Sequence, residues 1–291
     1  MRALTEQQVR DYRQNGFLFP VPVLTPAEIG DCMRNLERAE ARLGKPLSQA
    51  DKRWRLGAYT YLPWLDALVR HPRILDVIED ILGPDLLVFT ATFFIKEPGA
   101  PAFTAWHQDA TYFGLAPYEH LTAWVAFTDA SAQAGCMDVV VPAGGHRQMQ
   151  HAAAGLANSI NGAGQIIVEP LDETNVITMA LQAGEMSLHN TLCPHRSAPN
   201  AASHRRIGFG ISYIPAHVRP TGSYRMPALL VRGSDKGNFD LLPSPREEFA
   251  PEAVALNEKN HKRFYENYSE QLRLHEQAFA GRNAAGAALH T

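Results

Sequence analysis

Hydrophobic positions in the first third of the chain recur at helical spacing. Thr5 followed by Gln8 has capping-box spacing and predicts a helix that stops at Asn15-Gly16. Thr25-Pro26-Ala27-Glu28 repeats that signature with proline at the first helical position. Ile29, Cys32, Met33 and Leu36 then give the helix one apolar stripe up to Gly44. Two further helices are predicted over 62–69 and from 72 to about 82, the latter closed by Gly83-Pro84. After Asp85 the period changes. Residues 86–95 are β-branched and aromatic and end in Glu97-Pro98-Gly99, a strand followed by a turn. Further strands are predicted at 121–128, 137–141, 166–168, 176–180, 185–189 and 207–214. Turn chemistry separates them at Ala134-Gly135, Pro142 to Gly145, Asn161-Gly162, Gly184 and Pro194.

Many short strands punctuated in this way predict a mainly β fold, a double-sheet jelly roll with flanking helices, rather than alternating βαβ units. The expected organisation is one domain over 1–291. N-terminal helices occupy about 4–83, the jelly-roll core about 85–215 and a C-terminal region about 216–280. Within the last, residues 219–245 read as irregular and 251–278 as a helix before a frayed small-residue tail.

Composition adds exclusions. The chain has 291 residues, 45% hydrophobic and 20% charged, ordinary for a globular enzyme. A net charge of −3 without a basic run argues against nucleic acid as a partner. Three cysteines (Cys32, Cys136, Cys193) with no C-x-x-C pair fit a reduced, cytoplasmic compartment. No window is apolar enough for a membrane span or signal peptide.

The chemistry concentrates in two segments. In Thr104-Ala105-Trp106-His107-Gln108-Asp109, an extended backbone would turn His107 and Asp109 to the same face, with Gln108 pointing away. A second histidine would complete a two-histidine, one-carboxylate set that leaves three positions of an octahedral metal open, as non-haem iron(II) oxygenases require. Alone, H-x-D is weak, and most of the twelve histidines, including His71, His261, His275 and His290, read as surface residues. The second segment runs from Leu188-His189-Asn190 through Cys193-Pro194-His195-Arg196-Ser197 to Arg205-Arg206. It supplies a histidine after a strand and an arginine at the start of the next, suited to a two-pronged bond with a carboxylate.

Together these residues resemble the phytanoyl-CoA dioxygenase family of iron(II)- and 2-oxoglutarate-dependent oxygenases, which are double-stranded β-helix proteins. The pattern is H-x-D, a distant histidine, and an arginine eleven residues beyond it, matched by His107, Asp109, His195 and Arg206. Ser197, two residues after His195, and Trp124, on the strand after the H-x-D loop, also match. So do Leu4-Thr5…Tyr12…Gly16-Phe17 and Gly135-Cys136-Met137…Gly145-His146-Arg147, so the likeness spans roughly 4–215. It implies that His107, Asp109 and His195 hold Fe(II), and that Arg206 and Ser197 hold the far carboxylate of 2-oxoglutarate beside Trp124. Dioxygen is the co-reactant, and succinate and CO2 are released. Because Asp109 is present where halogenating relatives carry alanine or glycine, hydroxylation is implied.

The serine and arginine offsets choose His195 over His189 as the ligand. His189 then lines the pocket or is a buried structural histidine. Lys96 reads as a substrate contact or a solvated strand end, Tyr112 and Phe113 as a substrate wall or aromatic packing, Trp106 as core, and His146-Arg147 as surface. The expected substrate is small and polar, an aminoalkylphosphonate or similar zwitterion, with Lys96, Arg147 and Arg205 available to its anionic group. Two other classes stay open: a cupin-type metalloenzyme independent of 2-oxoglutarate, and a non-catalytic jelly-roll binding module. Oligomeric state is not legible.

Overall fold

A computed structural model describes residues 1–142, 144–160 and 165–288, with side chains to residue 280. The N-terminal helices form where the caps place them. Helix α1 (Glu6–Asn15) has a complete Thr5/Gln8 capping box and ends at Gly16 in the left-handed conformation. After strand β1 (Phe17–Pro22), α2 (Pro26–Leu43) repeats this with Thr25/Glu28 and Gly44. Each N-cap contributes about 1 kcal/mol. Helices α3 (Pro63–Val69) and α4 (Pro72–Leu82) each start on proline, which needs no hydrogen-bond partner at that position.

The strands that follow are β2 (Leu86–Lys96), β3 (Thr104–His107), β4 (Leu115–Ala116), β5 (Leu121–Ala126) and β6 (Met137–Val139), with a short helix, α5 (Ala110–Phe113), between β3 and β4. Next come β7 (His151–Ala153), β8 (Gln165–Ile167), β9 (Ile177–Met179), β10 (Glu185–Asn190), β11 (His195–Ser197) and β12 (Arg206–Pro215). The chain closes with β13 (Arg219–Pro220), β14 (Pro227–Arg232), β15 (Asp240–Leu241) and helix α6 (Pro251–Ala288).

Two sheets make an unclosed jelly roll: a seven-stranded one in the order β1-β10-β5-β12-β2-β14-β15, and a four-stranded one in the order β3-β11-β6-β9. The large sheet separates two environments by strict alternation. Ala91, Phe93 and Ile95 of β2 and Ile207, Phe209 and Ile211 of β12 join the core that packs on α2, α3 and α4. Their neighbours Thr90, Thr92, Phe94, Arg206, Gly210 and Ser212 line a cavity on the other face. No helix among the described residues is long and apolar enough to cross a membrane.

Several expectations need correction. Residues 219–245 are not wholly irregular, because β14 pairs with β2 and extends the large sheet. With β1 at its other edge, the sheet therefore reaches beyond 85–215 on both sides. The terminal helix runs on to Ala288 instead of stopping near 278. His275 is buried, its Nε2 accepting the His151 backbone N–H at 2.9 Å, so it is not a surface residue. The Asn161-Gly162 turn and His290 lie outside the described residues.

Candidate metal centre and cosubstrate pocket

Register across the small sheet brings the two segments together. Strand β11 lies between β3 and β6, and His195 pairs directly with His107. Asp109 arrives differently from the expected extended backbone. β3 ends at His107, and Asp109 takes a right-handed helical conformation (φ −64°, ψ −32°) as the first turn into α5. The bend still carries its carboxylate to the histidines. Oδ1 lies 3.8 Å from Nε2 of both His107 and His195, and the three ligand atoms lie within 4.8 Å of one another.

Each imidazole is held from behind. His107 Nδ1 faces the Ala105 carbonyl at 2.8 Å, and His195 Nδ1 faces the Cys193 carbonyl at 3.0 Å. The protons reside there, leaving both Nε2 lone pairs directed at the shared point, the arrangement that ligating histidines adopt. Asp109 is braced by the Thr122 hydroxyl, which donates to Oδ2 at 2.8 Å, and by the Tyr112 hydroxyl on Oδ1. Burial pushes His107 and His195 below the usual histidine range. Burial alone would raise the Asp109 carboxyl, but the surrounding His189, His195 and His107 outweigh it and hold it well below the carboxylate range. Two neutral imidazoles and one carboxylate are the protonation state that a divalent metal needs.

His189 is the near competitor. Its ring centroid is 4.4 Å from that of His195, and its Nε2 is 3.4 Å from Asp109 Oδ2 but outside hydrogen-bond geometry. Its Nδ1 has no partner among the described residues, so no hydrogen bond there sets its tautomer. It lines the cavity beside the three-residue cluster without belonging to it.

In the same cavity Arg206 is 3% exposed, and its Nε and Nη2 have no hydrogen-bond partner among the described residues. Its guanidinium stands 5.2 Å above the Trp124 ring. Burial pushes it down to about 10, so it keeps its charge at neutral pH. A buried, unpaired guanidinium is costly unless something anionic completes it. The indole beneath it depends on glycine: a Cβ at Gly208 would lie 1.8 Å from Trp124 Cζ2, and one at Gly210 2.8 Å from Phe94 Cε2. Gly208→Ala is therefore expected to cost about 1–3 kcal/mol by overpacking, read as a lower denaturation midpoint with altered tryptophan fluorescence.

Ser197 lines the same cavity, donating to Thr104 Oγ1 at 3.2 Å and accepting from Lys96 Nζ at 2.7 Å. Lys96 is neither a solvated strand end nor among the cavity's lining residues. It is fully buried, and its amine also faces the Gly135 and Ala198 carbonyls. Burial and then the charge of Arg206 push it down to about 6. Tyr112 and Phe113 line the cavity. Gln108 points away as expected, bridging to Arg147 O, Leu192 O and Met149 N. Trp106 is half-buried beneath Arg196 rather than in the core. His146 is half-buried against Gly16, whereas Arg147 is exposed.

The three cations expected for an anionic substrate are all engaged. Arg147 pairs with Glu169, and Arg205 spans Glu40 at 2.8 Å and Glu97 at 3.0 Å, while Lys96 is committed to oxygens around Ser197. The wall that sequence reasoning missed comes from α6. Tyr268 stacks on Tyr112 with centroids 4.8 Å apart, and Phe264 and Tyr265 line the cavity beside it. Aromatic residues at 264, 265 and 268 share one helical face, the signal that marks this contact in the sequence.

A jelly roll that converges two tied imidazoles and a carboxylate on one buried point, with an unpaired arginine lining the same cavity, has the arrangement suited to a non-haem metal oxygenase. Comparison with known proteins agrees. The phytanoyl-CoA dioxygenase (PhyH) family model matches residues 12–208, and the chain belongs to that family. It is similar to a solved non-heme monooxygenase, ThoJ, at 31% identity over 91% of this chain and 99% of that one. The TM-score is 0.79 for the apo form and 0.73 for the nickel complex. A non-heme alpha-ketoglutarate-dependent carbocyclase from nogalamycin biosynthesis, SnoK, is 26% identical over 76% of this chain and 88% of that one, with a TM-score of 0.58. A phytanoyl-CoA dioxygenase domain-containing protein 1 homolog from Caenorhabditis elegans is 20% identical over 179 residues, 59% of this chain. The match spans 62% of that relative's length.

Proposed function

We propose that the chain is an Fe(II)- and 2-oxoglutarate-dependent dioxygenase that hydroxylates a small organic substrate. His107, Asp109 and His195 hold the metal, and Arg206 with Ser197 binds the far carboxylate of 2-oxoglutarate over Trp124. The observation that carries the reading is Arg206, a charged group nine-tenths buried or more with two unpaired donors facing a cavity that also contains the triad. A dicarboxylate spanning the two ends satisfies both. Iron(II) bound there supplies redox chemistry with dioxygen, coupled to decarboxylation of 2-oxoglutarate to succinate.

The chain's residues do the rest. Tied Nδ1 protons orient the imidazoles, while Thr122 and Tyr112 aim the carboxylate. The rings of α6 exclude water from the side where substrate approaches. Asp109 fills the position that a halide would need, which favours hydroxylation. Tyr112, Phe113 and His189 face the substrate space. A cupin-type enzyme without 2-oxoglutarate would leave Arg206 unexplained, and a non-catalytic module would leave the triad unexplained.

Anaerobic addition of Fe(II) and then 2-oxoglutarate is expected to produce a weak visible charge-transfer band, and admission of oxygen to produce succinate. Metal uptake without a band would exclude the 2-oxoglutarate reading.

A further inference from the structure

Besides Arg206, two cations lining the cavity have no side-chain partner among the described residues. Arg55 follows the short turn formed by Lys52–Trp54 and lies alongside β2: its carbonyl accepts the Phe93 N–H at 3.3 Å, and Leu56 bridges to Thr92. Its side chain lines the cavity and makes no hydrogen bond or ion pair among the described residues. Lys52, on the same turn, also lines the cavity and is likewise unpaired through its side chain. Arg196, the other cation at this wall, is neutralised by Asp138 and Glu173. Asp109 is the only acidic residue lining the cavity among those described, and the metal centre claims it.

Arg55 and Arg206 enter the cavity from different places along the large sheet. Arg206 pairs with Lys96, whereas Arg55 sits beside Phe93, three residues further along the same strand. That is roughly 10 Å along β2 and roughly 10 Å across it, since β2 lies between the two arginines. The same cavity is lined by the metal cluster and by Tyr112, Tyr265 and Tyr268. Burial pulls the Arg55 guanidinium down, only partly offset by Tyr265 and Asp51. An acid from outside the chain would restore the balance.

We propose that Arg55, assisted by Lys52, is the subsite for an anionic head group on the substrate, whose apolar or aromatic body lies between that head and the metal centre. The substrate class is an amphiphilic carboxylate, phosphate or phosphonate. The planar fork of Arg55 suits the two-oxygen edge of either kind of head, and the ring-lined wall suits the body. This rests on the reading of Arg206 as the 2-oxoglutarate site, because only then is Arg55 free for a different anion.

The test uses the anaerobic protein loaded with Fe(II) and 2-oxoglutarate, so that the Arg206 end is filled. Calorimetric titrations with phenylacetate, phenylphosphonate and neutral phenylacetamide then probe the rest of the cavity. Wild type is expected to bind at least one of the two anions and to prefer it over the amide. The tighter anion identifies the head group. Arg55→Ala is expected to weaken that anion on the order of tenfold or more and Arg55→Lys by less, with amide binding unchanged. The charge-transfer band and thermal midpoint should stay as in wild type, showing that fold and cosubstrate site are intact. Failure of both anions to bind, equal binding of anion and amide, or equal anion binding by wild type and Arg55→Ala overturns the subsite. Absence of the band in wild type overturns the cosubstrate reading instead.

Discussion

Replacing Arg206 by alanine is expected to weaken 2-oxoglutarate binding on the order of 100-fold, with ferrous iron affinity unchanged to within a few-fold. The guanidinium is buried, remains charged, and has two donors that no described residue engages. Removing it strands the cosubstrate carboxylate in a desolvated pocket, which makes the loss larger than for an exposed ion pair. Arg206→Lys should recover only part, because an ammonium offers a point charge where the carboxylate meets a fork. Titration of the anaerobic charge-transfer band reads the affinity directly. An unchanged midpoint in Arg206→Ala would remove Arg206 from the cosubstrate site.

The second large effect separates two neighbouring histidines. His195→Ala is expected to lower Fe(II) affinity by more than about 100-fold, since loss of a ligand exceeds the 10–100-fold typical of losing a group that merely orients one. Succinate production should fall to background. His189→Ala should keep iron binding and the band, because His189 lacks the Nδ1 anchor that fixes His107 and His195. Metal titration of the two variants decides between them, and retained iron in His195→Ala with loss in His189→Ala would reverse the assignment.

Some of this site was legible in the sequence for local reasons. His107 and Asp109 stand two apart, and Ser197 and Arg206 follow His195 at short offsets, so a reading of neighbouring residues found them. The same locality misled at Lys96. A lysine at a strand end reads as solvated, yet the turn at Gly135 and the segment after Ser197 fold over it and supply its acceptors. Arg147 and Arg205 look available in sequence because Glu169 and Glu40 lie far off in the chain. Arg55 carried no signal at all. Its place on the cavity wall follows from an isolated bridge to β2 that no periodicity announces.

The sequence by itself determined the boundaries of the N-terminal helices and the two-residue period of the strands, because capping, turn chemistry and alternation act between residues close along the chain. The family was carried by the spacing of His107, Asp109, His195 and Arg206. The tertiary structure alone decided how the pieces meet. It set His195 opposite His107 by strand register, turned Asp109 into the site through a helical bend, and laid Trp124 on Gly208. It also brought the aromatic rings of α6 onto the wall of the same cavity as the triad. Those outcomes depend on long-range pairing and on which charges find partners, and neither is written in any short stretch of residues.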